Sequence, residues 1–143
     1  MWRLIPFQVN SAALNMAIDE SISEGIAQGS SPPTIRFYGW SPSAVTIGCF
    51  QSMDREVDTA RCQELGVHFV RRRTGGGAVY HDERGEITYS IIAPEDWMGE
   101  DILFSYREIC GKIVEALDRL GIPSEFQPIN DILVHGKKIS GSA

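Results

Sequence analysis

Cysteine is scarce in this chain, and what there is lies scattered. Cys49, Cys62 and Cys110 form no C-x-x-C pair. That excludes a zinc knuckle and a disulfide framework, and a reducing cytoplasm is the simplest compartment. Long apolar runs are also missing. No stretch nears the ~18 residues of a membrane span, and residues 1–10 contain no continuous hydrophobic segment that would read as a secretory signal. Repeats, low-complexity tracts and linkers are absent as well. Basic charge is in the minority: 13 Lys and Arg against 19 Asp and Glu give a net charge of −6, which argues against a general nucleic-acid binder. What remains is an ordinary globular composition, 43% hydrophobic and 22% charged over 143 residues, the length of one domain.

The pattern along the chain is mixed. Residues 2–5 read as a short strand. Asn10-Ser11 is a helix-start signal, and Leu14, Ala17, Ile18, Ile22 and Ile26 recur at helical spacing until Gly29. Strands are expected at 34–38, 44–48, 68–72, 78–81 and 86–93, with a turn over 39–42 and a short helix over 57–65. A long helix follows, with Leu103, Tyr106, Cys110, Ile113, Leu117 and Leu120 on one face. Strands at 131–134 and 138–142 flank His135-Gly136, a hairpin signal. Without regular βαβ alternation, this predicts an α+β fold with a largely antiparallel mixed sheet packed with helices.

Two segments carry candidate chemistry. Residues 71–82 read RRRTGGGAVYHD. Three glycines between strands permit unusual backbone angles and close approach of a ligand, and successive N–H groups there can form an anion nest. The arginines before them supply bidentate donors. The same residues also fit a glycine bulge in a twisted sheet. The run is neither a Walker A loop nor a dinucleotide fingerprint. Residues 130–143 read NDILVHGKKISGSA. With a strand starting at Lys138, Lys138 and Ser140 share a face and Ile139 points away. A strand-borne lysine can neutralise charge in a transition state, or can be an exposed hairpin lysine. Asn130 and Asp131 suit either Mg²⁺ or a turn. His68, His81 and His135 have no metal spacing. His81 closes the glycine segment, where it can touch a ligand or make a structural hydrogen bond.

Taken together and in order, RRRTGGGAVYHD and GKKISGSA resemble the lipoate–protein ligase A family, whose motifs run roughly RRxxGGGxVxHD and GxK[IV]xG[SA]A. NMAIDES at 15–21 and RFYGWSPSAVTIGCFQ at 36–51 are similar to the family's first helix and second hairpin. The resemblance implies a biotin/lipoate protein ligase-like catalytic domain. It implies that Arg72 binds an acyl-adenylate, that Gly75 and Gly76 form the turn, and that Gly77, Ala78, Val79 and Tyr80 line nucleotide and acyl chain. It makes Lys138 the catalytic lysine and sets Asn130 and Asp131 near the phosphate and its metal.

The activity so implied is ATP-dependent activation of lipoate to lipoyl-AMP, with Mg²⁺, and transfer to a lysine of a lipoyl domain of a 2-oxoacid dehydrogenase or glycine cleavage protein. Two alternatives stand beside it. One is an octanoyl or lipoyl transferase using a cysteine beyond the end of this chain. The other is a non-catalytic module that binds an acyl-adenylate or acyl carrier and needs a partner chain. Family domains continue past the lysine strand, often with an accessory domain or partner chain. Residues 1–143 are therefore expected to be the N-terminal part of one catalytic domain. No nucleic acid or membrane partner is expected.

Overall fold

The computed structural model describes residues 1–97, 99 and 101–143. In chain order the elements are β1 (Arg3–Asn10), α1 (Ala12–Ala27), β2 (Thr34–Trp40), β3 (Ala44–Ile47), α2 (Met53–Glu56), α3 (Thr59–Glu64), β4 (His68–Arg71), β5 (Val79–His81), β6 (Thr88–Ile92), a 3-10 turn (Glu95–Trp97), α4 (Ile102–Arg119), β7 (Glu125–Gln127), β8 (Asp131–Val134) and β9 (Lys137–Gly141). They group into two compact units, Met1–Pro94 and Glu95–Ala143. The fold is α+β, as expected. Among the described residues no helix is long and apolar enough to cross a membrane.

The strands make three three-stranded sheets: β1-β2-β6 and β4-β3-β5 in the first unit, β7-β8-β9 in the second. Pairs β1–β2 and β3–β4 are parallel; the other four pairings are antiparallel. Strand β1 runs past Pro6, where a strand reading naturally stops. The register shifts between Ile5 and Gln8, and β1 lies at the sheet edge, so the missing proline N–H is tolerated. Strand β2 likewise runs through Gly39, expected as a turn. A side chain there would come within 3.0 Å of the Phe7 ring, so glycine lets β1 cross it. The single short helix expected over 57–65 is two helices, because Val57 is extended and Asp58 restarts the helix by accepting from the Arg61 N–H at 2.9 Å. β7 holds one apolar residue and has no alternation to announce it.

Helix α1 keeps the expected period and buries Ile22, but its inward face also takes in polar residues. Leu14 is 48% exposed, whereas Asn15 is fully buried and Asp19 half-buried. They turn inward to meet Arg36 on β2, whose side chain is wholly buried. Its guanidinium pairs with Asp19 Oδ1 at 2.6 Å, donates to the Asn15 carbonyl at 3.0 Å and to Asn15 Oδ1, and lies 4.0 Å from the Tyr38 ring centre. Tyr38 and Ser90 donate to the other Asp19 oxygen at 3.1 and 2.7 Å. Burial first, then the Asp19 charge, pushes the Tyr38 phenol far above its ordinary value, so it remains a donor. Next to this cluster sit Ala12, Tyr38, Trp40 and Ala44, the apolar centre of the unit. Asp19→Ala leaves the Arg36 charge buried and unpaired. It is expected to cost about 3–5 kcal/mol in urea unfolding; a loss below 1 kcal/mol would remove the pair from the fold's support.

In the second unit the α4 face expected from periodicity holds in its middle. Cys110 is buried and Tyr106, Ile113 and Leu117 are partly covered, while Leu103 and Leu120 at its ends are 53% and 75% exposed. Strand β9 pairs with β8 through a bulge that sets Ser140 opposite Ile132 but Lys138 opposite Leu133.

Candidate functional site

The residues singled out in the sequence fall into both units. Arg72 and residues 75–81 lie in the first; Asn130, Asp131, Lys138 and Ser140 lie in the second.

In the first unit, β3, β4 and β5 hold the glycine turn between β4 and β5. The three consecutive arginines are engaged inside the chain. Arg73 pairs with Glu20 and Glu24 of α1 at 2.8 and 3.5 Å. Arg71 donates to the carbonyls of Gly48 and Cys49, both at 3.2 Å, and to that of Gln51. Arg72 binds the turn itself. Its Nε donates to Thr74 Oγ1 at 3.1 Å, Nη1 to the Thr46 carbonyl at 3.4 Å and hydroxyl at 3.1 Å, and Nη2 to the carbonyls of Gly75 at 2.5 Å and Gly77 at 2.9 Å. Burial lowers its pKa from the ordinary value, partly opposed by Cys49.

Only Gly76 among the three glycines has a positive φ, +90°. Side chains at Gly75 or Gly77 would meet nothing within 4 Å, so open space adjoins the turn there. The packing constraint comes from Gly48 instead: a Cβ there would stand 2.2 Å from the Gly76 carbonyl oxygen. Val79 and Tyr80 open β5 and are 44% and 56% exposed.

His81, read from sequence as a possible ligand contact, is buried and engaged on both sides. Its Nε2 meets Thr46 Oγ1 at 2.9 Å, its Nδ1 meets Glu86 Oε1 at 2.6 Å, and its ring stacks on Trp40 at 4.0 Å. No ring nitrogen remains for a ligand. The Glu86 carboxylate can only accept, so His81 Nδ1–H donates to it, and Nε2 faces the Thr46 hydroxyl. Burial would raise Glu86. The hydrogen bond and charge of His81, with the Thr88 hydroxyl at 2.8 Å, hold it below its ordinary value instead. Thr46, Glu86 and Gly48 escaped the sequence reading. The available signal was Thr46 itself, the one polar residue in an apolar strand.

In the second unit, Lys138 Nζ lies 2.7 Å from Asp131 Oδ1, with the lysine side chain 57% exposed. The lysine lies flat over Gly141, where a Cβ would stand 2.9 Å from both Cε and Nζ. The β9 bulge corrects the expected facing. Lys138 shares a face with Asp131, Leu133 and Gly141, whereas Ser140 pairs with the buried Ile132 on the other side. Asn130 clamps the strand end: its side-chain amide donates to the Ser142 carbonyl, and its own carbonyl accepts the Ser142 N–H at 3.0 Å. Of the Asn130–Asp131 pair, the Asp131 carboxylate is held by Lys138 and the Asn130 amide by the Ser142 carbonyl, and among the described residues no three His, Cys, Asp or Glu side chains cluster. Cys110 Sγ lies 4.0 Å from the Asn130 carbonyl and 3.8 Å from Ser142 Oγ, and burial pushes its thiol up.

Residues 11–143 match the family model of the lipoyl protein ligase A/B catalytic domain. An octanoyltransferase LipM from Macrococcus caseolyticus is 36% identical over 99% of this chain and 60% of its own length. The crystal structure of a lipoate-protein ligase A bound with ATP superposes with a TM-score of 0.82 at 32% identity, over 97% of this chain and 59% of that one. A bi-partite lipoate protein ligase from Thermoplasma acidophilum, solved in a study that includes its E2 lipoyl domain, gives a TM-score of 0.78 at 30% identity, over 97% of this chain and 54% of that one. The chain thus spans about 60% or less of the length of these relatives.

Proposed function

Because the chain belongs to the lipoyl protein ligase A/B catalytic-domain family, we propose that it serves in attaching octanoyl or lipoyl groups to a lysine of a lipoyl domain, by acyl transfer from a thioester. The observation that carries this reading is its 35–43% identity to proteins named octanoyltransferase LipM. In this route the donor's acyl carbon is attacked by a cysteine thiolate and the carrier leaves as a thiol. The acceptor amine then attacks the acyl-cysteine, forming the amide and releasing the cysteine. Each step passes through a tetrahedral oxyanion, which fixed N–H donors and cations stabilise more than they stabilise the ground state. Lys138 is the cation assigned to that task.

Cys110 is a poor nucleophile, being buried with a raised pKa. The resemblance sets the nucleophilic cysteine after Lys138, beyond residue 143. Free acid activated by ATP is the second reading, supported by likeness to the ATP-bound ligase. The two routes differ in the group released. Incubated with a lipoyl domain, the full-length protein is expected to release free thiol from an octanoyl thioester without ATP. Turnover confined to ATP plus free lipoate or octanoate, with pyrophosphate release, would overturn the thioester route.

A further inference from the structure

Gly141 lies within β9, where a glycine weakens the strand and packs no side chain. Its φ is not positive, so the backbone does not require glycine there. The reason lies in what a side chain would displace. The three atoms nearest to a Cβ at 141 are Cε and Nζ of Lys138, both at 2.9 Å, and Oδ1 of Asp131 at 3.2 Å. All three belong to one ion pair, in which Lys138 Nζ stands 2.7 Å from Asp131 Oδ1. The space over Gly141 is filled by the end of the Lys138 side chain.

Strict alternation would set Lys138 and Gly141, three residues apart, on opposite faces. The bulge brings them to one face. Ser140 pairs with Ile132 and Lys138 with Leu133, which leaves Ile139 without a partner on β8. Asp131 then stands directly opposite Gly141, and Lys138 is its diagonal neighbour, a separation that a lysine spans. Asp131 Oδ1 is buried, so water does not compete with the ammonium for it. Next to this pair, Asn130 and Ser142 clamp the ends of the two strands together.

We infer that Gly141 is a positioning residue for Lys138. Together with the bulge at Ile139, it keeps clear the path along β9 by which the ammonium reaches Asp131, and so fixes where the positive charge stands. It acts through the lysine and not on the substrate. This deepens the proposed acyl-transfer function and rests on it through the role given there to Lys138. A Cβ at 141 must push Cε and Nζ outward to reach ordinary contact. The flexible stem of a lysine yields to that, so the strand stays folded while the charge moves.

The test uses the full-length protein and reads the lysine and the reaction separately. The Lys138 ammonium is followed by its ¹H–¹⁵N signal, assigned by its loss in Lys138→Ala, and octanoyl transfer by steady-state kinetics. Gly141→Ala should melt as the wild type does and shift the ammonium signal toward that of Asp131→Asn, which leaves the ammonium unpaired. It should lower kcat roughly 10–10²-fold with KM nearly unchanged, the scale of a misplacement of up to ~1 Å. In a Lys138→Ala background the same substitution should cost less than about twofold, because the group it acts through is gone. Equal losses in both backgrounds would overturn the inference in favour of a glycine that makes room for the substrate. An unmoved ammonium signal, or a moved signal with wild-type kcat, would overturn it as well. An unfolded Gly141→Ala beside a folded Lys138→Ala would overturn it by giving the glycine to the strand itself. If the wild type transfers nothing, the proposed function fails, and the ammonium signal still decides whether Gly141 places the lysine.

Discussion

Lys138→Ala is expected to lower octanoyl transfer by the full-length protein roughly 10²–10³-fold, as loss of a transition-state donor does, while leaving the fold intact. The two halves of that expectation have separate causes. The ammonium lies on the exposed side of β9, with a single carboxylate at 2.7 Å, so most of its surface remains available to developing negative charge. Its pairing with Asp131 is solvent-screened, and pairs of this kind contribute only ~0–1 kcal/mol. Lys138→Arg should fail nearly as badly, because a planar fork cannot replace a point charge that lies flat over Gly141. Steady-state kinetics beside thermal melting separate the cases. Wild-type turnover by the alanine variant would take Lys138 out of the mechanism.

The next largest effect is expected at a glycine outside the glycine motif. Gly48→Ala would drive a Cβ to 2.2 Å from the Gly76 carbonyl oxygen and 3.1 Å from the Gly75 and Gly76 carbonyl carbons. These neighbours are backbone atoms in a turn already fixed by Arg72, so the turn itself must move. Overpacking of this kind costs about 1–3 kcal/mol, and a displacement near ~1 Å costs on the order of 10²-fold in rate. Gly75→Ala is the control. Its Cβ would meet nothing within 4 Å and its φ is not positive, so its stability should match the wild type within ~0.5 kcal/mol. Equal stability and turnover for both variants would mean that the Gly48–Gly76 contact does not set the turn.

How far the molecule could be read from its sequence depended on the range of each interaction. Helices α1 and α4, the strand positions and both motif segments are local patterns, and they stand close to where the pattern set them. The polar part of the inward face of α1 was hidden because it is decided by Arg36, which meets Asn15 and Asp19 from 21 and 17 residues away. The work of Arg72 was hidden for the same reason: its anchor, Thr46, lies 26 residues earlier. Strict alternation set Ser140 beside Lys138, and one bulged residue was enough to put them on opposite faces. The two sheets of the first unit, in place of one, follow from β3 pairing with β4 and β5 and not with β2, a choice between similar strands that no local pattern records.

The most direct measurement is the intact mass of a lipoyl domain after incubation with the full-length protein and an octanoyl thioester, with the modified residue located by peptide mapping. One octanoyl group in amide linkage on one lysine, formed without ATP and lost in Lys138→Ala, is the predicted result. An unmodified lipoyl domain under conditions where the wild-type protein is folded would contradict the account.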